Sequence, residues 1–143
     1  MKLADVNVLV YAVDAGAVHH DAAREWLEAA LSGAETVAFA WTAIMGFLRV
    51  ATHPAASDDP FSVDEAIDLV EGWLGQPPAV VVNPTERHSA ILRDLLGPLR
   101  VGGDLVPDAH LAALAIEHGA ELVSFDNDFA RFAGLRWVNP GGG

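Results

Sequence analysis

The stretch "LVSFDNDF" (Leu122–Phe129) begins as an apolar, strand-like run and ends abruptly in two aspartates that flank one asparagine. A turn alone explains such an ending, because Asp and Asn tolerate unusual backbone angles and bond their own main chain. What precedes it adds a second meaning. The helical pattern "AHLAALAIEH" (Ala109–His118) closes at Gly119, a favourable C-cap, and leads into a strand over residues 121–125. A helix feeding a strand is the unit from which parallel sheets with helices on both faces are built.

The same alternation runs back to the start of the chain. "KLADV" (Lys2–Val6) reads as a first strand with Asp5 at its end, followed by a short helix over residues 8–13 that Asn7 is placed to cap. Ala23, Trp26, Leu27, Ala30 and Leu31 recur at helical spacing from Val18 until Gly33. "TVAFA" (Thr36–Ala40) has the length of a buried strand, and Ile44, Phe47, Leu48 and Ala51 then mark a helix that His53-Pro54 stops. "PAASDDPF" (54–61) is a loop by composition, and Ser62 with Glu65 has capping-box spacing ahead of Ala66, Ile67, Val70 and Leu74. The β-branched "AVVVN" (Ala79–Asn83) predicts a third strand before a helix bearing His88, Ile91, Leu92, Leu95 and Leu96, which Gly97-Pro98 ends. Residues 100–108 form a glycine-containing loop. The pattern predicts an α/β chain, a mostly parallel sheet between helical layers, with one domain over residues 1–140 and a frayed glycine tail over 141–143. The Trp and Phe residues at helical spacing are assigned to the core.

Bulk properties narrow the chemistry. With 143 residues and 52% hydrophobic composition, the chain can bury a core without staples. It has no cysteine, which excludes disulfides and thiolate metal sites. Eight basic residues against twenty acidic ones give a formal charge of −12, which argues against broad, nonspecific adhesion to nucleic acid. Seven of the eight basic residues are arginines, so a local arginine contact to phosphate stays open. The apolar run from Val8 to Val13 is too short for a signal-peptide core, and no window approaches the ~18 apolar residues of a membrane span. A soluble, cytoplasmic protein is expected.

In an open parallel sheet, ligands bind outside the carboxyl ends of the strands. Asp5 and Asp126 end strands, Asp108 begins the helix before the last strand, and Asp104 and Asp128 lie close by in sequence. Two carboxylates about 5 Å apart repel by roughly 3 kcal/mol at an effective dielectric near 20, so several in one pocket call for a cation or shifted protonation. A hard divalent ion such as Mg²⁺ suits an all-oxygen set. Each residue also has a simpler reading: Asp108 favours a helix N-terminus, Asp126 and Asp128 suit a turn, Asp5 a polar strand end, and Asp104 a loop or cap. The six histidines lack HExxH spacing, and His110, near the pocket in sequence, is assigned to packing or surface rather than to substrate.

The segments "LADVNVLVYA" (3–12), "FLRVATHP" (47–54), "LVPDAHLAALAIEHGA" (105–120) and "LVSFDNDFARFAGLRWVNP" (122–140) together resemble the PIN-domain family, and within it the VapC-like toxins of bacterial toxin–antitoxin pairs. The resemblance implies a small α/β/α sandwich that binds Mg²⁺ or Mn²⁺ and cuts single-stranded or loop RNA. It implies that Asp5, Asp108 and Asp126 are catalytic metal ligands and that Asp128 is an additional acidic position of the metal shell; Asn7 and Asp104 are read beside them as candidate second-layer supports. It further implies a homodimer bound by a cognate VapB-like antitoxin. One departure stands out: many members carry a glutamate in the helix after the second strand, whereas "TAIMGFLRV" has none and Gly46 falls near its place. A binding module without turnover is the rival reading. A phosphoacceptor receiver would need a late lysine, and Lys2 is the only lysine; a dehalogenase-type phosphatase would want an aspartate where Asn7 stands.

Overall fold

The computed structural model describes residues 1–56 and 59–142; Ser57 and Asp58 of the expected loop, and Gly143 of the expected tail, lie outside the described residues. Five strands form one parallel sheet: β1 (Lys2–Ala4), β2 (Val37–Phe39), β3 (Ala79–Val81), β4 (Glu121–Val123) and β5 (Trp137–Val138), in the order β3-β2-β1-β4-β5. The first strand is central. Leu3 lies beside Ala38 on one side and Leu122 on the other.

Among the described residues, six helices cover the sheet: α1 (Val6–Val13), α2 (His20–Leu31), α3 (Trp41–Ala51), α4 (Val63–Leu74), α5 (His88–Leu96) and α6 (Leu105–Glu117). Alternation along the strands sorts their side chains into two cores. Ala4, Val37, Phe39 and Val123 point to one side and pack with Val8, Leu9, Leu27, Ile44, Phe47 and Val70 of α1 to α4. Leu3, Ala38 and Leu122 point to the other and meet Leu95, Leu111 and Leu114 of α5 and α6. This is the three-layer α/β arrangement that the alternating pattern predicts. Strands buried on both faces need apolar residues at successive positions, which is why "LVSF" and "TVAFA" show no polar alternation.

Local chemistry sets the element boundaries. Ser62 and Glu65 form the reciprocal capping box at the start of α4, each side chain bonding the other's backbone N–H. Gly119, at φ +65°, turns the chain from α6 into β4. Several sequence expectations are corrected. The cap of α1 is Asp5 and not Asn7, because the Asp5 carboxylate accepts the Val6 N–H at 2.7 Å and the helix therefore starts two residues earlier. Helix α6 starts at Leu105 rather than after Asp108: Pro107 is tolerated in a first turn, where its missing N–H has no helical partner to lose. The α5 helix runs on through a 3₁₀ turn, Gly97–Leu99, before stopping. β5 has only two residues and no apolar run to announce it. Trp41 is half exposed rather than in the core.

Candidate active site: carboxylates at the sheet edge

Asp5 occupies the single position between β1 and α1. Its backbone N–H donates to the Val123 carbonyl at 3.0 Å, fastening it to the neighbouring strand end. Its side chain is 7% exposed. One carboxylate oxygen accepts from Val6 N–H and the other from the Ser124 hydroxyl at 2.7 Å. Burial pushes the Asp5 pKa above the usual carboxylate range, and the Asp126 charge adds to it, against the two hydrogen bonds that favour the anion.

Ser124, fully buried, ties the site together. Beyond its bond to Asp5, its oxygen accepts the Asn7 amide at 3.2 Å and the Asp126 backbone N–H at 3.0 Å. Asn7 Oδ1 in turn accepts the Phe125 N–H at 3.3 Å. Asn7 thus braces the strand end that carries Ser124 and Phe125. Ser124 was not singled out from the sequence. Its signal is a hydroxyl in the otherwise apolar run "LVSF", where a buried polar group must find partners.

Asp126 starts the 3₁₀ turn Asn127–Arg131, and its carboxylate accepts the Asp128 N–H at 2.8 Å. The turn reading of "FDND" is therefore realised, and it aims Asp126 and Asp128 toward the same edge. Asp128 is exposed, with Arg131 Nε 3.7 Å from its carboxylate. Asp108 lies in the first turn of α6. Its pKa is raised to about 6, first by burial and then by the charges of Asp5, Asp126 and Asp128. Asp5, Asp126 and Asp128 therefore lie within electrostatic reach of Asp108. Asp104 is not among the charges acting on Asp108; it sits exposed at the N-cap position of α6 without a capping bond.

An all-oxygen set whose negative charges add to the raised pKa of Asp5 and Asp108 suits a hard divalent cation, which would remove the repulsion. Among the described residues no group of three or more histidine, aspartate or glutamate side chains is placed to hold a metal ion.

His110 takes no part in this edge. Its Nδ1 is 2.9 Å from His88 Nε2, and His88 Nδ1 is 2.6 Å from the Glu117 carboxylate, which also accepts from Thr85. Burial and the neighbouring His88 hold the His110 pKa below its usual value. The packing assignment of His110 holds.

Gly46 has a steric explanation. A Cβ there would stand 2.8 Å from Val6 Cγ2, so α3 lies against α1 at the residue next to Asp5. Gly46→Ala therefore trades about 1 kcal/mol of helix propensity for an overpacking cost of about 1–3 kcal/mol and lowers stability in urea unfolding. In a Val6→Ala background the same change raises stability; a loss of equal size in both backgrounds would refute the contact.

A family model described as PIN domain matches residues 2–135. The chain is similar to Ribonuclease VapC37 of Mycobacterium tuberculosis, at 49% identity over 140 residues, covering 98% of this chain and 97% of that one. Ribonuclease VapC33 of the same species is 38% identical, with 98% of each chain covered. Among solved structures, VapBC2 from Rickettsia felis, bound to a DNA fragment from its promoter, contains a chain that matches with a TM-score of 0.70 at 18% identity, over 96% of this chain and 97% of that one.

Proposed function

The chain belongs to the PIN-domain family, and within it to the VapC-type group; from that membership we propose that it is a divalent-metal-dependent ribonuclease, the toxin of a VapBC-like toxin–antitoxin pair. What supports this reading is the family match over residues 2–135, together with the charges of Asp5, Asp126 and Asp128, which add to burial in raising the Asp108 pKa. Asp5, Asp108 and Asp126 would hold Mg²⁺ or Mn²⁺, with Asp128 at the outer side of its shell. When bound, the ion supplies charge neutralisation and an acidified water for hydrolysis of an RNA phosphodiester.

The chain's own residues set the conditions for that chemistry. Ser124 holds Asp5 in one orientation and favours its anion, while Asn7 fixes the strand end that carries Ser124. Asp108 is the group whose protonation governs the site in mild acid: near pH 7 it is mostly ionised and available as a ligand, and below about 6 it carries a proton. Activity should therefore fall as pH drops through that value.

An antitoxin partner is supported by a groove of about 450 Å³ between α2 and α4, with Leu27, Leu31, Leu69 and Trp73 along it and Arg24 and Asp68 among its charged residues. An apolar groove with charges at its margin fits an amphipathic segment of a VapB-like protein. A homodimer working in the cytoplasm completes the reading. No helix among the described residues is long and apolar enough to cross a membrane.

A second reading, a module that binds RNA or antitoxin without turnover, draws on Gly46, whose contact with Val6 leaves no room for a side chain where many relatives carry a glutamate. One experiment separates them: incubation of purified, antitoxin-free chain with total bacterial RNA and Mg²⁺ or Mn²⁺, beside EDTA and Asp5→Asn controls. Discrete fragments that vanish in both controls support the nuclease. Intact RNA with both metals and a folded protein supports the module.

A further inference from the structure

Trp41, the first residue of α3, follows directly on the end of β2. The register Leu3 with Ala38 carries on to set Ala40 beside Asp5, so Trp41 stands at the same sheet edge as the carboxylates. It is 50% exposed, Met45 one turn on is 59% exposed, and Arg49 after another turn is exposed too. These positions, i, i+4 and i+8, form one outward stripe about 12 Å long on the helix, opposite the buried Ala43, Ile44, Phe47 and Ala51. Arg49 has no ion-pair partner among the described residues. Trp137, by contrast, donates its indole N–H to the Ser124 carbonyl, and Trp73 packs on Phe39 and Phe47.

The charge pattern says what this stripe can receive. Residues 36–57 are the longest stretch of the chain without an aspartate or glutamate, in a protein of net charge −12. Helix α3 itself therefore carries no acidic side chain to repel a polyanion, and Arg49 is its one charge. An acidic protein also gains little from the phosphate attraction that dominates most nucleic-acid binding, so the holding force must come largely from contacts that do not depend on charge. A half-exposed indole is the side chain best suited to that, since every base presents a face on which it can stack.

We propose that Trp41, with Met45 and Arg49, is the track that holds an unpaired stretch of RNA beside the carboxylates: a base stacks on the Trp41 indole and Arg49 takes a phosphate further along. The assignment rests on the ribonuclease reading and adds the residues that would select the unpaired RNA which the family resemblance implies. A duplex keeps its bases stacked inside and offers none to the indole.

The test uses the full chain carrying Asp5→Asn, which does not cleave, and a short mixed-sequence oligoribonucleotide, single-stranded or annealed to its complement. Anisotropy gives the affinity and sedimentation the oligomeric state. Trp41→Ala should weaken single-strand binding about tenfold or more, Trp41→Phe should keep most of it, and the annealed duplex should bind poorly to all. Arg49→Ala should lower the salt slope by about 0.7. Unchanged affinity in Trp41→Ala overturns the track, as does a changed oligomeric state, which would make α3 a contact between copies. In both cases RNA cleavage by the chain with Asp5 and Trp41 intact leaves the ribonuclease reading standing. If that chain neither binds nor cuts RNA, both fall.

Discussion

Replacing Asp108 with asparagine should make the metal-free chain more stable at pH 7 while cutting RNA cleavage to below about a hundredth of the parent rate. The two effects have one source. The Asp108 pKa is about 6 in the folded chain, against an ordinary value of 3.8, so the fold favours the protonated carboxyl. Stability from that proton is fully present below about pH 4 and is lost as pH rises through about 6. At pH 7 the anion is a burden that asparagine, of the same shape and without charge, removes. Asp108 is partly exposed, so solvent screening reduces the gain to on the order of 1 kcal/mol. Urea unfolding without metal checks it: the parent loses stability between pH 4 and 7, and the variant follows a flatter curve. Adding Mg²⁺ or Mn²⁺ should reverse the order, because an ion that binds only the folded parent stabilises it by mass action. Equal metal response in parent and variant would remove Asp108 from the ligand set.

Ser124→Ala should lower cleavage about 10- to 100-fold with the carboxylates themselves untouched, the usual range for losing a group that orients a metal ligand. The hydroxyl serves Asp5, Asn7 and the Asp126 N–H together. Its removal leaves buried partners unmatched, at a cost of about 1–3 kcal/mol in stability. Asp5 also loses a bond that favours its anion, so its pKa, already raised by burial, climbs further and the pH profile of cleavage moves to higher pH. Ser124→Thr, which keeps the hydroxyl, separates this from simple packing: restored activity supports the hydrogen-bonding role, whereas a loss equal to that of alanine points to tight packing alone.

The parts legible in the sequence were those with a repeating signal. Ala23, Leu27 and Leu31 lie on the buried face of α2, as their spacing requires, and the Ser62–Glu65 box caps α4. The end of β1 was legible because an apolar run stopped at Asp5, whereas β4 ends at Val123, short of the expected Phe125. What escaped depends on contacts distant in sequence. β5 is a strand only because Trp137 and Val138 pair with Leu122 and Val123. The capping role passed from Asn7 to Asp5 because Asn7 is drawn away to Ser124 and Phe125, more than a hundred residues along. Ser124 itself looks inert until Asp5 is set against it. The same holds for Gly46, whose meaning lies in Val6.

The central position of β1 has a consequence for the order of assembly. Its first neighbour, β2, is made soon after it, but β4 comes so much later that Asp5 and Ser124 are 119 residues apart. At ~5–20 residues per second, a nascent chain spends roughly 6 to 24 s with Asp5 synthesised and its hydroxyl partner still missing. Throughout that interval the middle of the sheet has one open edge, and the carboxylates that must meet there are not yet on the same surface. A broken-off N-terminal fragment, however long up to Ala120, therefore carries Asp5 without β4, Asp126 or Asp128. The topology acts as a lock that opens only once β4 has been made.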